Sequence, residues 1–181
     1  SNSIGLGGFT YGMTTVEMAS AYSTLARNGQ YMDATNLTKV YDRTAKTTIY
    51  ENTYEKTKIY DDGAAYLMTD VLKSVITNGT GMNYKLDGVK EQAGKTGTTN
   101  DAKDLWFCGY TPYYTISVWV GYDYPKSVKG LWGNTYPAYI WKEAMLYMID
   151  GKDEADFDLE GKKATGNKNV ISDEDDSSAP E

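Results

Sequence analysis

With 181 residues, a hydrophobic fraction of 40% and 17 tyrosines, the chain has room for one globular domain with a real core and suits β structure. Its net charge of −7 arises from Asp150 onward, where 11 acidic residues face 4 basic ones; the body is neutral and has no basic stripe for nucleic acid. The absence of histidine and the single cysteine, Cys108, exclude histidine relays, the usual zinc sets and an internal disulfide, so any acyl transfer must use lysine as its base.

The opening, Ser1 to Gly12, is a glycine-rich loop. Thr14-x-x-Glu17 then makes a capping box, and Val16, Ala19, Tyr22 (or Ser23) and Ala26 follow at helical spacing, with Met18 and Leu25 widening the face. A helix is predicted from about Thr15 to Asn28, stopped by Asn28-Gly29. The β-prone runs Leu37–Tyr41 and Thr47–Tyr50 flank Asp42–Lys46 and predict a hairpin. Lys56–Tyr60 reads as a further strand or a linker.

Asp61 or Asp62 is expected to cap a second helix. Its buried stripe would be Ala65, Leu67, Met68, Val71, Leu72, Val75 and Ile76, with Asn78-Gly79-Thr80-Gly81 as its stop. Two strands, Leu105–Tyr110 and Tyr114–Tyr122, joined at Thr111-Pro112-Tyr113, predict an antiparallel pair. Cys108 within the first reads as a small buried hydrophobe rather than a nucleophile. Trp106, Phe107, Trp119 and Tyr122 read as core or sheet-face residues. Asp101, Asp104 and Asp123 lie in turns without the ligand spacing of a calcium loop. A closing amphipathic helix is expected over Ala138–Ile149, followed by an acidic, disordered tail over 150–181. The sequence has neither an apolar run of membrane-span length nor a basic-plus-apolar leader.

Between the second helix and the strand pair lies Gln92-Ala93-Gly94-Lys95-Thr96-Gly97-Thr98-Thr99, followed by a turn at Asn100–Asp104. A phosphate-binding loop fits poorly. Its first glycine would be at position 89, whereas the nearest is Gly88, and a strand hairpin follows where a helix is required. Lys-Thr-Gly on a strand instead matches the box that edges the acyl-transfer site of serine β-lactamases and penicillin-binding proteins.

The flanks carry a wider likeness. Gly5–Ala19, Ala21-Tyr22, Ala26–Tyr31, Gly94–Thr99, Asp104–Phe107 with Gly109–Pro112, and Val118–Asp123 together resemble, in order and spacing, the transpeptidase domain of class A (bifunctional) penicillin-binding proteins. The resemblance runs from about Gly5 to Ile149 and implies an α/β fold of α+β type: an antiparallel sheet flanked by helices, an incomplete β-lactamase/transpeptidase-like fold. Residues 1–149 would be the C-terminal part of the transpeptidase domain.

Members of the family cross-link peptidoglycan through a serine acyl-enzyme and bind penicillin, using Ser-x-x-Lys, Ser-x-Asn and Lys-Thr-Gly motifs. Only the third occurs here, so the resemblance implies a portion without its nucleophile, inactive alone, in a membrane-anchored parent on the extracytoplasmic face. It assigns Lys95, Thr96, Gly97 and Thr98 to the catalytic edge. Lys95, Thr96, Thr98 and Thr99 would bind the substrate carboxylate, and the Thr98 N–H would serve as an oxyanion donor. The implied partners are the stem peptide, β-lactams and the upstream part of the same domain, with no cofactor. A β-lactamase or β-lactam sensor and a non-catalytic scaffold in a cell-wall complex remain alternatives.

Overall fold

The first helix forms where its cap dictates. In the computed structural model, which describes residue 9 and residues 11–159, α1 spans Thr15–Ala26. The Glu17 N–H donates to Thr14 Oγ1 at 3.2 Å, and the Thr14 N–H donates to the Glu17 carboxylate at 2.8 Å, so both halves of the capping box are made. Arg27 caps the other end, and the positive φ of Asn28 (55°) and Gly29 (80°) turns the chain away. Most of the glycine-rich opening and the tail beyond residue 159 lie outside the described residues.

Strand β1 (Gln30–Tyr31) pairs antiparallel with β4 (Thr57–Lys58), which settles Lys56–Tyr60 as containing a strand. The expected hairpin is β2 (Lys39–Asp42) and β3 (Thr47–Glu51). Its turn is closed by Asp42 Oδ1, which accepts from the N–H groups of Thr44 at 2.7 Å and Ala45 at 3.0 Å. This two-stranded sheet is separate from the central one and almost wholly exposed.

The central sheet has the order β5-β6-β7 and is antiparallel throughout: β5 (Ala93–Thr98), β6 (Asp104–Tyr110) and β7 (Thr115–Gly121). Alternation divides its side chains between two faces. Leu105, Phe107 and Gly109 face α3 (Tyr136–Ile149), where the rings of Phe107 and Trp141 lie 4.9 Å apart. A Cβ at Gly109 would come within 2.6 Å of the Trp141 ring, so only glycine admits the tryptophan there. This side joins Ile76, Leu86, Phe107, Ala138, Trp141 and Met145 into one core. On the opposite face Ala93 and Tyr110 pack with Leu72, and Tyr22, Leu25 and Ala26 of α1 close over them. Helix α2 (Asp62–Thr77) flanks β5 and reaches both cores, through Ile76 and Leu72.

Of the two expected caps of α2, Asp61 is the N-cap, without a side-chain hydrogen bond. Several other expectations are corrected. The buried stripe of α2 narrows to Ala65, Thr69, Leu72 and Ile76, while Leu67, Met68 and Val71 are exposed. Val16 also faces outward, because α1 turns Thr24 and its C-terminal half to the sheet. Helix α3 starts two residues before the predicted Ala138, with Pro137 in its first turn, and Tyr139, Ile140, Tyr147 and Met148 of its expected apolar face are exposed. Tyr122 is half exposed beyond the end of β7, whereas Trp106 and Trp119 form a half-buried cross-strand pair.

The first ten residues of the expected disordered tail are mostly exposed but are fastened to the body at several points. Phe157 and Leu159 are buried in the second core, with the Phe157 ring 5.4 Å from Tyr110. Asp156 pairs with Lys90 at 2.6 Å, and the Asp153 carbonyl accepts from the Tyr113 hydroxyl at 2.8 Å.

Two buried acids have consequences for stability. Burial pushes the Cys108 thiol up to about 11 and the Tyr110 phenol up to about 12, although hydrogen bonds to Ser117 and Thr69 oppose the shifts. Both groups are neutral when protonated, and both ionise earlier in the unfolded chain. The stability they contribute is therefore complete below pH 9 and is lost as pH rises through the folded values. The melting temperature is expected to hold from neutrality to about pH 9 and then fall. In Cys108→Ala, calorimetry across this range should show a shallower early fall, with up to about 2–3 kcal/mol less pH-dependent loss. An unchanged profile would contradict the burial argument.

Candidate active site

Strand β5 is held on one edge by β6. The Thr99 N–H donates to the Asp104 carbonyl at 3.0 Å, continuing the register in which Gly97 opposes Trp106 and Lys95 opposes Cys108. In an antiparallel ladder alternate residues bond to the partner strand. Counting back from Thr99, residues 97, 95 and 93 bond inward, so the backbone N–H and carbonyl groups of Thr96 and Thr98 point to the outer edge. No strand pairs with that edge among the described residues.

The segment leading into the strand is tied down by Gln92, a residue of the same stretch with no role read from the sequence. Its buried amide accepts from the Leu86 N–H at 2.7 Å and donates to the carbonyls of Leu86 at 2.8 Å and Val89 at 2.5 Å. Lys73 on α2 holds Glu91 at 2.8 Å. The far end is closed by Thr99, whose hydroxyl accepts from the Asp104 N–H at 2.8 Å and donates to Asp104 Oδ2 at 3.1 Å. Thr99 thus closes the turn, and its hydroxyl proton is donated to Asp104. The other Asp104 oxygen accepts from Trp119 Nε1 at 3.0 Å, and Asp101 lies 3.4 Å from Lys103.

The expected site residues fall on both faces, as alternation requires. Lys95 and Gly97 share the face of Cys108 and Trp106, whereas Thr96 and Thr98 share that of Leu105 and Phe107. Lys95 is exposed, and its ammonium donates to the Thr96 carbonyl at 2.7 Å, which brings the charge to the outer edge of the strand. A Cβ at Gly97 would sit 3.1 Å from Trp106 Cβ, so the glycine is also what lets the cross-strand tryptophan pack.

Two contacts were not legible from the motif. Thr80, read only as part of a helix stop, places its hydroxyl 2.8 Å from that of Thr96. Gly133, in the loop between β7 and α3, donates its N–H to Thr98 Oγ1 at 3.0 Å, and any side chain on it would strike the Trp106 and Gly97 carbonyls. The 16 residues separating Thr80 from Thr96 and the 35 separating Thr98 from Gly133 leave no periodicity to detect. Glycines flanking Thr80 were the only sequence signal.

The outer edge of β5 therefore presents an ammonium, two threonine hydroxyls and outward N–H groups on a strand fixed at both ends and on its inner side. Such a set suits an anionic, extended ligand laid along a strand.

Comparison with known proteins shows the family. Residues 1–146 match the family model described as the penicillin binding protein transpeptidase domain, so the chain belongs to that family. It is 42% identical over 134 residues to penicillin-binding protein 1A of Clostridium acetobutylicum, covering 74% of this chain and 16% of that protein. Penicillin-binding protein 4 of Bacillus subtilis is 40% identical over 137 residues, covering 76% and 22% respectively. Among solved structures, the penicillin-binding protein PonA1 from Mycobacterium tuberculosis superposes with a TM-score of 0.75 at 30% identity, over 87% of this chain and 43% of that one. The chain thus spans less than a quarter of the length of these curated relatives.

The seat of Gly133 on the strand is directly testable. Gly133→Ala is expected to lower stability by about 1–3 kcal/mol, the usual cost of forcing atoms into a packed contact. Urea unfolding followed by tryptophan fluorescence measures it, and an unchanged midpoint would contradict the contact.

Proposed function

We propose that this chain is the Lys-Thr-Gly portion of a peptidoglycan D,D-transpeptidase that binds penicillin. It is inactive alone because it carries neither Ser-x-x-Lys nor Ser-x-Asn. The observation that carries the reading is the outer edge of β5, where Lys95, Thr96 and Thr98 border backbone donors turned away from the sheet. Membership of the transpeptidase family adds to it.

In this reading a serine from the upstream part of the same domain attacks the carbonyl joining the two terminal D-alanines of a stem peptide. An ester bond forms, the peptide C–N bond breaks, and the leaving D-alanine amine takes up a proton equivalent to the one lost by the serine. The amine of a neighbouring stem peptide then attacks the ester, forms the cross-link and restores the serine hydroxyl. A β-lactam takes the donor's place and leaves the serine acylated.

Lys95 supplies a positive charge to the missing hydroxyl network and to the substrate carboxylate. An ammonium at a partly desolvated site is worth far more to a carboxylate than one in open water. Thr96 and Thr98 donate hydroxyl protons to that carboxylate. The outward N–H of Thr98 serves as one oxyanion donor as charge builds on the carbonyl oxygen. Gly97 lets backbone and substrate approach closely, since a side chain there would block a peptide laid along the strand. The parent works on the extracytoplasmic face of the membrane, anchored elsewhere; among the described residues no helix is long and apolar enough to cross a membrane.

The test is acylation by a fluorescent penicillin, comparing this chain with a protein extended upstream by roughly one domain length. Labelling is expected only in the extended protein, and Lys95→Ala should slow it by about a hundredfold or more, as for loss of a proton-transfer group. No labelling of a demonstrably folded extended protein would contradict the transpeptidase reading and favour a non-catalytic scaffold.

A further inference from the structure

We propose that Thr80 is a positioning residue of the β5 edge, aiming a hydroxyl proton at the carboxylate of the bound donor; this rests on the transpeptidase reading above. Thr80 follows the end of α2 in a turn that cannot drift. Gly81 donates its N–H to the Val75 carbonyl at 3.0 Å, and Met82 donates to the Gly79 carbonyl at 3.1 Å. A Cβ at Gly79 would lie 2.8 Å from Val75 Cα. One at Gly81 would lie 3.1 Å from Ile76 Cδ1 and 3.4 Å from the Phe107 ring. Phe107 is the cross-strand partner of Thr96. The same buried ring therefore supports the turn that carries Thr80 and the strand position that carries Thr96.

The two hydroxyls are 2.8 Å apart. Each has one proton and two acceptor sites. Their mutual bond consumes one proton and leaves one, whichever residue is the donor. Lys95 meanwhile donates to the Thr96 carbonyl at 2.7 Å, so its charge stands at the same strand edge, on the backbone of one member of the pair. The arrangement is a single hydroxyl donor, held by its partner and backed by an ammonium, at the exposed rim of the strand. A carboxylate is the group that accepts from both. Without Thr80, the Thr96 hydroxyl keeps its proton and loses what aims it.

The test uses the full-length protein and two β-lactams: one with its free carboxylate and the same compound with that carboxylate esterified. Thr80→Val keeps the shape and removes the hydroxyl. It is expected to reduce the second-order acylation rate of the acid about tenfold, the worth of one hydrogen bond to a charged group, while the ester rate changes less than about twofold. Thr80→Ser should restore the acid rate. An acid rate unaffected by Thr80→Val, or equal losses for acid and ester, would overturn the proposal and leave the transpeptidase reading standing. Failure of the unmodified protein to react with either compound would overturn both.

Discussion

The structure depends on holding one edge strand still while its outer side has no strand partner among the described residues. An unpaired strand edge invites association with other chains, and proteins ordinarily cover, shorten or charge it. Here β5 is bonded to β6 along its inner side and anchored by Gln92 at one end and Thr99 at the other. Against it lie the Gly133 loop and the Thr80 turn. The Lys95 ammonium occupies the outer edge by bonding to the Thr96 carbonyl. The chemistry read into the edge is also what keeps it from being a bare strand.

The glycines show how little slack the arrangement has. Trp141 lies on Gly109, Trp106 lies beside Gly97, and Gly133 presses on the carbonyls of both strands. Because packed interiors transmit small volume changes, a methyl group at Gly109 or Gly133 would move the sheet or the loop before it was accommodated. The two cores meet through α2, whose Leu72 and Ile76 belong to different clusters, so a disturbance on one face reaches the other.

Local features were legible in the sequence. The Thr14–Glu17 box, the Asn28-Gly29 stop, the Asp42 turn and the antiparallel β6–β7 pair are each set within a few residues, and each formed where it was read. The α/β fold with its antiparallel sheet followed from these and from the family resemblance. What the sequence concealed is non-local. Periodicity shows that α2 is apolar along a wide stripe, but not that the described partners cover only Ala65, Thr69, Leu72 and Ile76. Average composition marked the residues after Ile149 as solvated and hid Phe157 and Leu159, two apolar side chains among acids that reach the core. Lys-Thr-Gly was visible as a motif. Its reach to Thr80 and Gly133 required the folded chain.

In the proposed function the edge of β5 is one side of an acyl-transfer site, with the nucleophile on a Ser-x-x-Lys serine that these 181 residues do not contain. The most direct measurement is peptide mapping by mass spectrometry of the full-length protein after reaction with benzylpenicillin. A single penicilloyl adduct is expected on a serine within a Ser-x-x-Lys sequence, and none on the serines of this chain. An adduct on any of these 181 residues would contradict that placement.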